Sequence, residues 1–183
     1  NALYNIMRGG VFASGYEIAV ADFLAYLETV NRPLAERFRS SLLHLGPVSA
    51  RDAFLREADA QEDVDLSRIA REYLPLTFSR RHGDPSRPWN RFSIETEDDE
   101  GNPVLTYQGN WRDIFQNWEP LAYSFPGYFE GTIFRFLNAS TADGYNPYRL
   151  TREGFDWETI DPDEPWSNIG YWGDHQIVYL LKL

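Results

Sequence analysis

The chain has no cysteine and only one methionine and three histidines among its 183 residues. The missing thiol excludes disulfide bridging and thiolate chemistry. So few soft ligands argue against a dedicated zinc or iron–sulfur centre and leave only a carboxylate-bound hard cation open. The expectation is a protein with no cofactor and no dedicated metal site. Nowhere does an apolar run approach the roughly 20 residues that a membrane span needs. Asn1-Ala2-Leu3 carries no basic stretch leading into an apolar signal segment. Basic residues are also scarce, 17 against 28 acidic ones, for a net charge of -11. That balance disfavours phosphate backbones and anionic membrane surfaces, and it places no penalty on a neutral polar ligand. The expectation is a cytoplasmic protein without nucleic-acid or membrane partners.

What the chain does have is aromatic bulk. Six Trp, eleven Tyr and twelve Phe provide enough large apolar surface for a sizeable core. Ala19, Val20, Phe23, Leu24, Leu27 and Val30 recur at helical spacing and predict a helix over 16–30. Asn31 then caps a second helix with Pro33 in its first turn, giving a helical hairpin. Ser49 offers a cap for a short helix around Ala53-Phe54-Leu55. Asp65 does the same for a helix over 66–74 that Pro75 stops.

Phe92 and Ile94 alternate with polar neighbours, and Val104, Leu105 and Tyr107 return, so 89–109 reads as an inserted hairpin. Trp111 to Phe125 is helical in spacing, but Pro120 predicts a start near Trp118 or an interruption there. Pro126 opens another helical run, and Arg149 to Trp157 folds back about Glu153-Gly154 as a second hairpin. Asp174 caps an apolar helix still in progress at Leu183, which reads as a piece of a larger domain. The predicted fold is mainly α: a paired-helix array over 1–183 with one or two short β-hairpin insertions.

Three segments concentrate chemistry. Gly109 to Glu119 combines Trp111, Arg112, Asp113 and Trp118 near a loop-to-helix junction. Aromatic faces cover the apolar side of a sugar ring while fixed polar groups discriminate hydroxyls. Asp143 to Arg149 is explained by turn chemistry alone, with its tyrosines filling core space. The functional alternative makes Asp143 a hydroxyl acceptor and Tyr145 or Tyr148 a wall. Trp166 to Gln176 is the most site-like stretch. Gly170 and Gly173 permit close backbone approach around Tyr171 and Trp172, and Asp174 and His175 can orient a proton or a hydroxyl. Asp174 as a helix cap and His175 as a satisfied edge residue explain the same residues equally well.

Glycosyl transfer needs an acid to protonate the departing oxygen and a carboxylate to activate water or attack. Asp113 and Asp174 are the nominated pair, with Glu158 as rival for either role. Arg112 or Arg149 would neutralise phosphate in a phosphorolytic variant.

Asn110-Trp111-Arg112-Asp113-Ile114-Phe115-Gln116-Asn117-Trp118 and Gly170-Tyr171-Trp172-Gly173-Asp174-His175-Gln176 resemble stretches of large uncharacterised bacterial proteins related to six-hairpin glycosidases and cellobiose-phosphorylase-like enzymes. The resemblance is strongest over the C-terminal half. It implies part of an (α/α)6 toroid, active carboxylates on loops at one end, neutral oligosaccharides as substrates and no organic cofactor. The Asn-Gly-Asp-Trp-Asn-Asp-Gly stretch of the acid-bearing loop in the phosphorylase-like enzymes is absent, so Asp113 does not inherit the acid role by position.

The leading expectation is therefore a fragment of an enzyme that cleaves or phosphorolyses glycosidic bonds in neutral oligosaccharides. Inorganic phosphate and the rest of the parent polypeptide would be its further partners. The alternative is a noncatalytic carbohydrate-binding or scaffold domain. In a third reading Trp111, Trp118 and Trp172 are core anchors, and burial of the indoles without a concavity between the loops favours it.

Overall fold

The computed structural model describes residues 11–77, 97–102, 104–157, 171–172 and 176–183. The first apolar stripe becomes α1 (Val20–Val30) and the second becomes α2 (Arg32–Leu43). Phe23, Leu24 and Leu27 of α1 meet Leu34, Phe38 and Leu42 of α2 in one core. Each such side chain stabilises the fold by about 1.5–3 kcal/mol relative to exposure. Asn31 caps the second helix as predicted and also ends the first. Its N–H donates to the Leu27 carbonyl at 2.7 Å, ending α1, and its Oδ1 accepts from the Leu34 N–H at 3.3 Å, starting α2.

Three helix starts differ from the sequence reading. The stretch ahead of α1 is not helical, because β2 (Glu17–Ala19) pairs antiparallel with β3 (Val48–Ala50), Ile18 opposite Ser49. That ladder takes Ser49 into a strand, so Ala50 stands at the cap of α3 (Arg51–Ala60) with no side-chain cap. In α4 (Val64–Glu72) the cap is Asp63, whose Oδ1 accepts from Leu66 N–H at 3.0 Å; the predicted cap Asp65 already lies inside the first turn.

The α3 and α4 helices are tied by a fork. Arg71 Nη1 and Nη2 donate to the two Asp59 oxygens at 2.7 and 2.8 Å, and Arg71 Nε lies 3.3 Å from Glu130. These hydrogen bonds hold the Asp59 carboxyl at about 2, below its ordinary 3.8. A depressed carboxylate contributes stability that is present above its unfolded value and lost as pH falls through its folded one. Unfolding midpoints measured from pH 5 to pH 2 are expected to fall more steeply for the native chain than for Asp59→Asn. Parallel curves would remove Asp59 from the acid response.

At the margin of this first core, β1 (Val11–Phe12) and β4 (Leu76–Thr77) run antiparallel, with Val11 opposite Thr77 and Phe12 opposite Leu76. Phe12, Leu74 and Leu76 turn toward a second core built from the C-terminal elements. There, β5 (Gln108–Asn110) leads into α5 (Trp111–Ser124), and a 3-10 turn at Pro126–Tyr128 leads into α6 (Phe129–Asn138). α5 runs unbroken through Pro120, contrary to expectation. An interior proline costs about 3 kcal/mol, and burial of Trp111, Ile114, Phe115, Trp118 and Leu121 along one stripe offsets it.

Four short strands follow: β6 (Tyr145–Asn146), β7 (Arg149–Thr151), β8 (Phe155–Asp156) and β9 (Tyr171–Trp172), and α7 (Gln176–Lys182) comes after them. The predicted second hairpin is β7–β8, Arg149 opposite Asp156 and Leu150 opposite Phe155. Of the predicted 89–109 insertion, 89–96 lies outside the described residues, and β5 pairs with β7 in a three-stranded sheet of order β5-β7-β8. The fold is mainly helical with short strands. Among the described residues the helices do not close a ring, and none is long and apolar enough to cross a membrane.

Candidate functional site

Backbone pairing brings the three chemistry-bearing segments side by side. Asn110 lies opposite Arg149 in the β5–β7 ladder, and Trp111 N–H donates to the Tyr148 carbonyl at 3.0 Å. Tyr145 lies opposite Trp172, and Asn146 opposite Tyr171, in the β6–β9 ladder. Segments that sequence could join only by supposition are neighbours in space.

Their side chains divide differently. Trp111 and Trp118 are core residues, 0% and 2% exposed. Phe115 meets both edge-on at 4.7 and 5.4 Å, and Phe136 packs on Trp111 at 4.9 Å. Neither indole offers a face to a guest, and both indole N–H groups are buried without an acceptor among the described residues. A water-sized void beside Trp118, lined also by Phe12, Leu76, Leu121 and Tyr128, has no room for a sugar ring.

Arg149 is engaged by Asp156 across the hairpin, Nε to Oδ2 at 2.6 Å and Nη2 to Oδ2 at 2.5 Å, both side chains about one-third exposed. Asp143 lies in the exposed turn that carries Tyr145, where it accepts from the Thr141 hydroxyl. That bond holds its carboxyl below the usual carboxylate range. Asp113 and Arg112 fall in the first turn of α5, and Tyr171 and Trp172 form β9; the side chains of all four lie outside the described set. Glu158, Asp174 and His175 lie outside the described residues altogether. Among the described residues no three metal-ligating side chains cluster.

Sequence reasoning missed two features. The first is a polar seam between the two cores. Asp22 of α1 accepts from the Tyr73 hydroxyl and from Arg152 Nη2, the latter at 2.5 Å. Burial, then the Asp22 charge, pushes the Tyr73 phenol up. Glu72, 5% exposed, is bound by Arg68 at 2.7 Å and by the Asn138 amide. Arg135, 2% exposed, donates to the Thr151 and Arg152 carbonyls at 2.6 and 3.0 Å and to the Tyr26 hydroxyl at 3.3 Å. These partners are more than 100 residues apart in the case of Tyr26 and Arg135, and no local pattern announces them. The second feature is Trp157, whose alternation with Phe155 was the available signal.

A family model described as glycoside hydrolase family 149 insertion domain 1 matches residues 12–75, about a third of the chain. No curated protein matches the chain. The matched segment is the N-terminal part, where sequence reading placed no candidate site residue, and not the C-terminal half on which the resemblance to six-hairpin glycosidases rested.

Proposed function

We propose that this chain is a noncatalytic module of a carbohydrate-active protein, folded as an inserted unit and its supporting partner. The observation that carries the reading is the β1–β4 pair. It sets the two ends of the matched segment side by side, Phe12 against Leu76, so the chain leaves and returns at one place. An insert must do this to sit in a host without spreading it. The segment also has a core of its own, built around Phe23, Leu27, Leu42, Phe54 and Leu66.

In this reading the partners are neutral oligosaccharide and the remaining parent polypeptide, whose paired helices would supply an (α/α)6 ring. Catalysis, with inorganic phosphate where the reaction is phosphorolytic, belongs to that remainder. The burial of Trp111 and Trp118 supports the noncatalytic reading, because the two indoles nominated to hold a substrate beside Asp113 are spent on the core.

Incubating the intact chain with neutral oligosaccharides, with and without inorganic phosphate, is expected to release no sugar or sugar phosphate above a protein-free blank. Turnover that Asp113→Asn removes would replace this reading with the catalytic one.

A further inference from the structure

Trp157 is a large aromatic residue left 39% exposed at the end of β8. It is held in place by its surroundings. Its ring lies parallel to that of Tyr145, 8° between planes and 6.1 Å between centroids, while Phe155 meets it edge-on at 6.5 Å. Phe155 is itself packed against the second core. The Tyr148 N–H donates to the carbonyls of Asp156 and Trp157 at 2.9 and 3.2 Å, which fixes the backbone on which the indole stands.

The turn that carries Tyr145 is equally closed. Thr141 N–H donates to the Tyr145 carbonyl, and Tyr145 N–H to Thr141 Oγ1, both at 2.9 Å. Gly144, at φ 89°, makes the reversal that only glycine adopts without strain. Asp143, exposed and accepting from the Thr141 hydroxyl, stands two residues ahead of Tyr145.

We infer that Trp157, backed by Tyr145, is a binding platform for one ring of a neutral oligosaccharide, with Asp143 accepting from a ring hydroxyl. A rigid, partly exposed indole covers the apolar C–H face of a pyranose at little entropic cost, because its neighbours already restrict it. Thr141, Ala142 and Asp143, in the turn that carries Tyr145, are exposed, so the rim on that side is small and polar. A hydroxyl-rich ligand satisfies such a rim, whereas an apolar protein partner would leave it unpaired. The carboxylate and the chain's net charge of -11 repel anions, which selects an uncharged sugar over a phosphorylated or uronic one. The ligand class rests on the carbohydrate reading above; the location rests on the ring geometry alone.

The test is calorimetric titration of the intact chain with cellohexaose, laminarihexaose and maltohexaose, and with an oligogalacturonide as the charged comparison. At least one neutral glucan is expected to bind, the oligogalacturonide more weakly or not at all. Trp157→Ala is expected to lower affinity at least tenfold, Trp157→Phe to retain most of it, and Asp143→Asn to lower it two- to fivefold, with circular dichroism and melting confirming the fold of each variant. Absence of binding by every neutral glucan, or binding that Trp157→Ala leaves unchanged, overturns the platform. Neither outcome touches the noncatalytic reading, which turnover alone decides.

Discussion

Gly131→Ala is expected to destabilise the fold by about 2–3 kcal/mol, although alanine is the better helix former by about 1 kcal/mol. Gly131 lies in α6 where that helix crosses α4, and a Cβ built there overlaps the Arg71 carbonyl oxygen while reaching Leu74 Cδ2 at 3.5 Å. The first neighbour is backbone, which cannot rotate away, so α4 and α6 must separate. Separation strains the Arg71–Glu130 pair that spans the same crossing. It also opens the contact through which Leu74 joins the second core. For a chain of this size the loss corresponds to a melting temperature lower by roughly 5–10 °C. Gly154→Ala is the control. Nothing lies within 4 Å of its added Cβ, and it is expected to stay within about 0.5 kcal/mol of the native chain. An unchanged or raised midpoint for Gly131→Ala would mean that the helices do not touch backbone to backbone.

That close approach shows where the sequence was silent. The hairpin of α1 and α2 was legible because its apolar period and the Asn31-Pro33 start are local, and the β7–β8 turn was legible for the same reason. Nothing local marked Ser49 as a strand residue. Its partner is Ile18, and a ladder between distant segments overrides a side chain that would otherwise cap a helix. Pro120 was read by its intrinsic cost, without the burial that outweighs it. In the candidate site the helical spacing from Trp111 to Phe125 and a core-anchor role for Trp111 and Trp118 were both legible, and the structure buries those two indoles, but the sugar-binding reading set that phase aside. Trp111, Ile114, Phe115, Trp118 and Leu121 occupy one helical stripe, the pattern of a core face, and the structure buries all five. The spacing that made Trp111 and Trp118 conspicuous was already evidence that they point inward. Asp143, Tyr145 and Trp157, from a turn and a strand end, carry no such stripe, and their outward placement emerges only from pairing across β6–β9 and β7–β8.

Arg135→Ala is expected to cost about 3–4 kcal/mol, the larger part from acceptors left without donors and not from lost charge attraction. The guanidinium is 2% exposed, and its hydrogen bonds run to two backbone carbonyls and a phenol, Thr151, Arg152 and Tyr26. Truncation leaves both carbonyls under-satisfied and opens a void between Tyr107 and Phe155, whose rings lie 5.7 and 5.4 Å from the guanidinium carbon. Arg152, whose backbone Arg135 holds, carries the side chain that reaches Asp22 of α1, so the same substitution loosens the contact between α1 and the β7–β8 hairpin. Arg135→Lys is expected to recover less than half the loss. An ammonium is a single point, whereas Arg135 Nη1 and Nη2 reach acceptors on different elements at once. Urea denaturation followed by tryptophan fluorescence measures both variants. The expected result is a lower midpoint with the slope of the native chain, which marks a weakened fold that still unfolds as one unit. Full recovery by lysine, or a loss below 1 kcal/mol for alanine, would mean that charge alone, or nothing, holds the β7–β8 turn against α1 and α6.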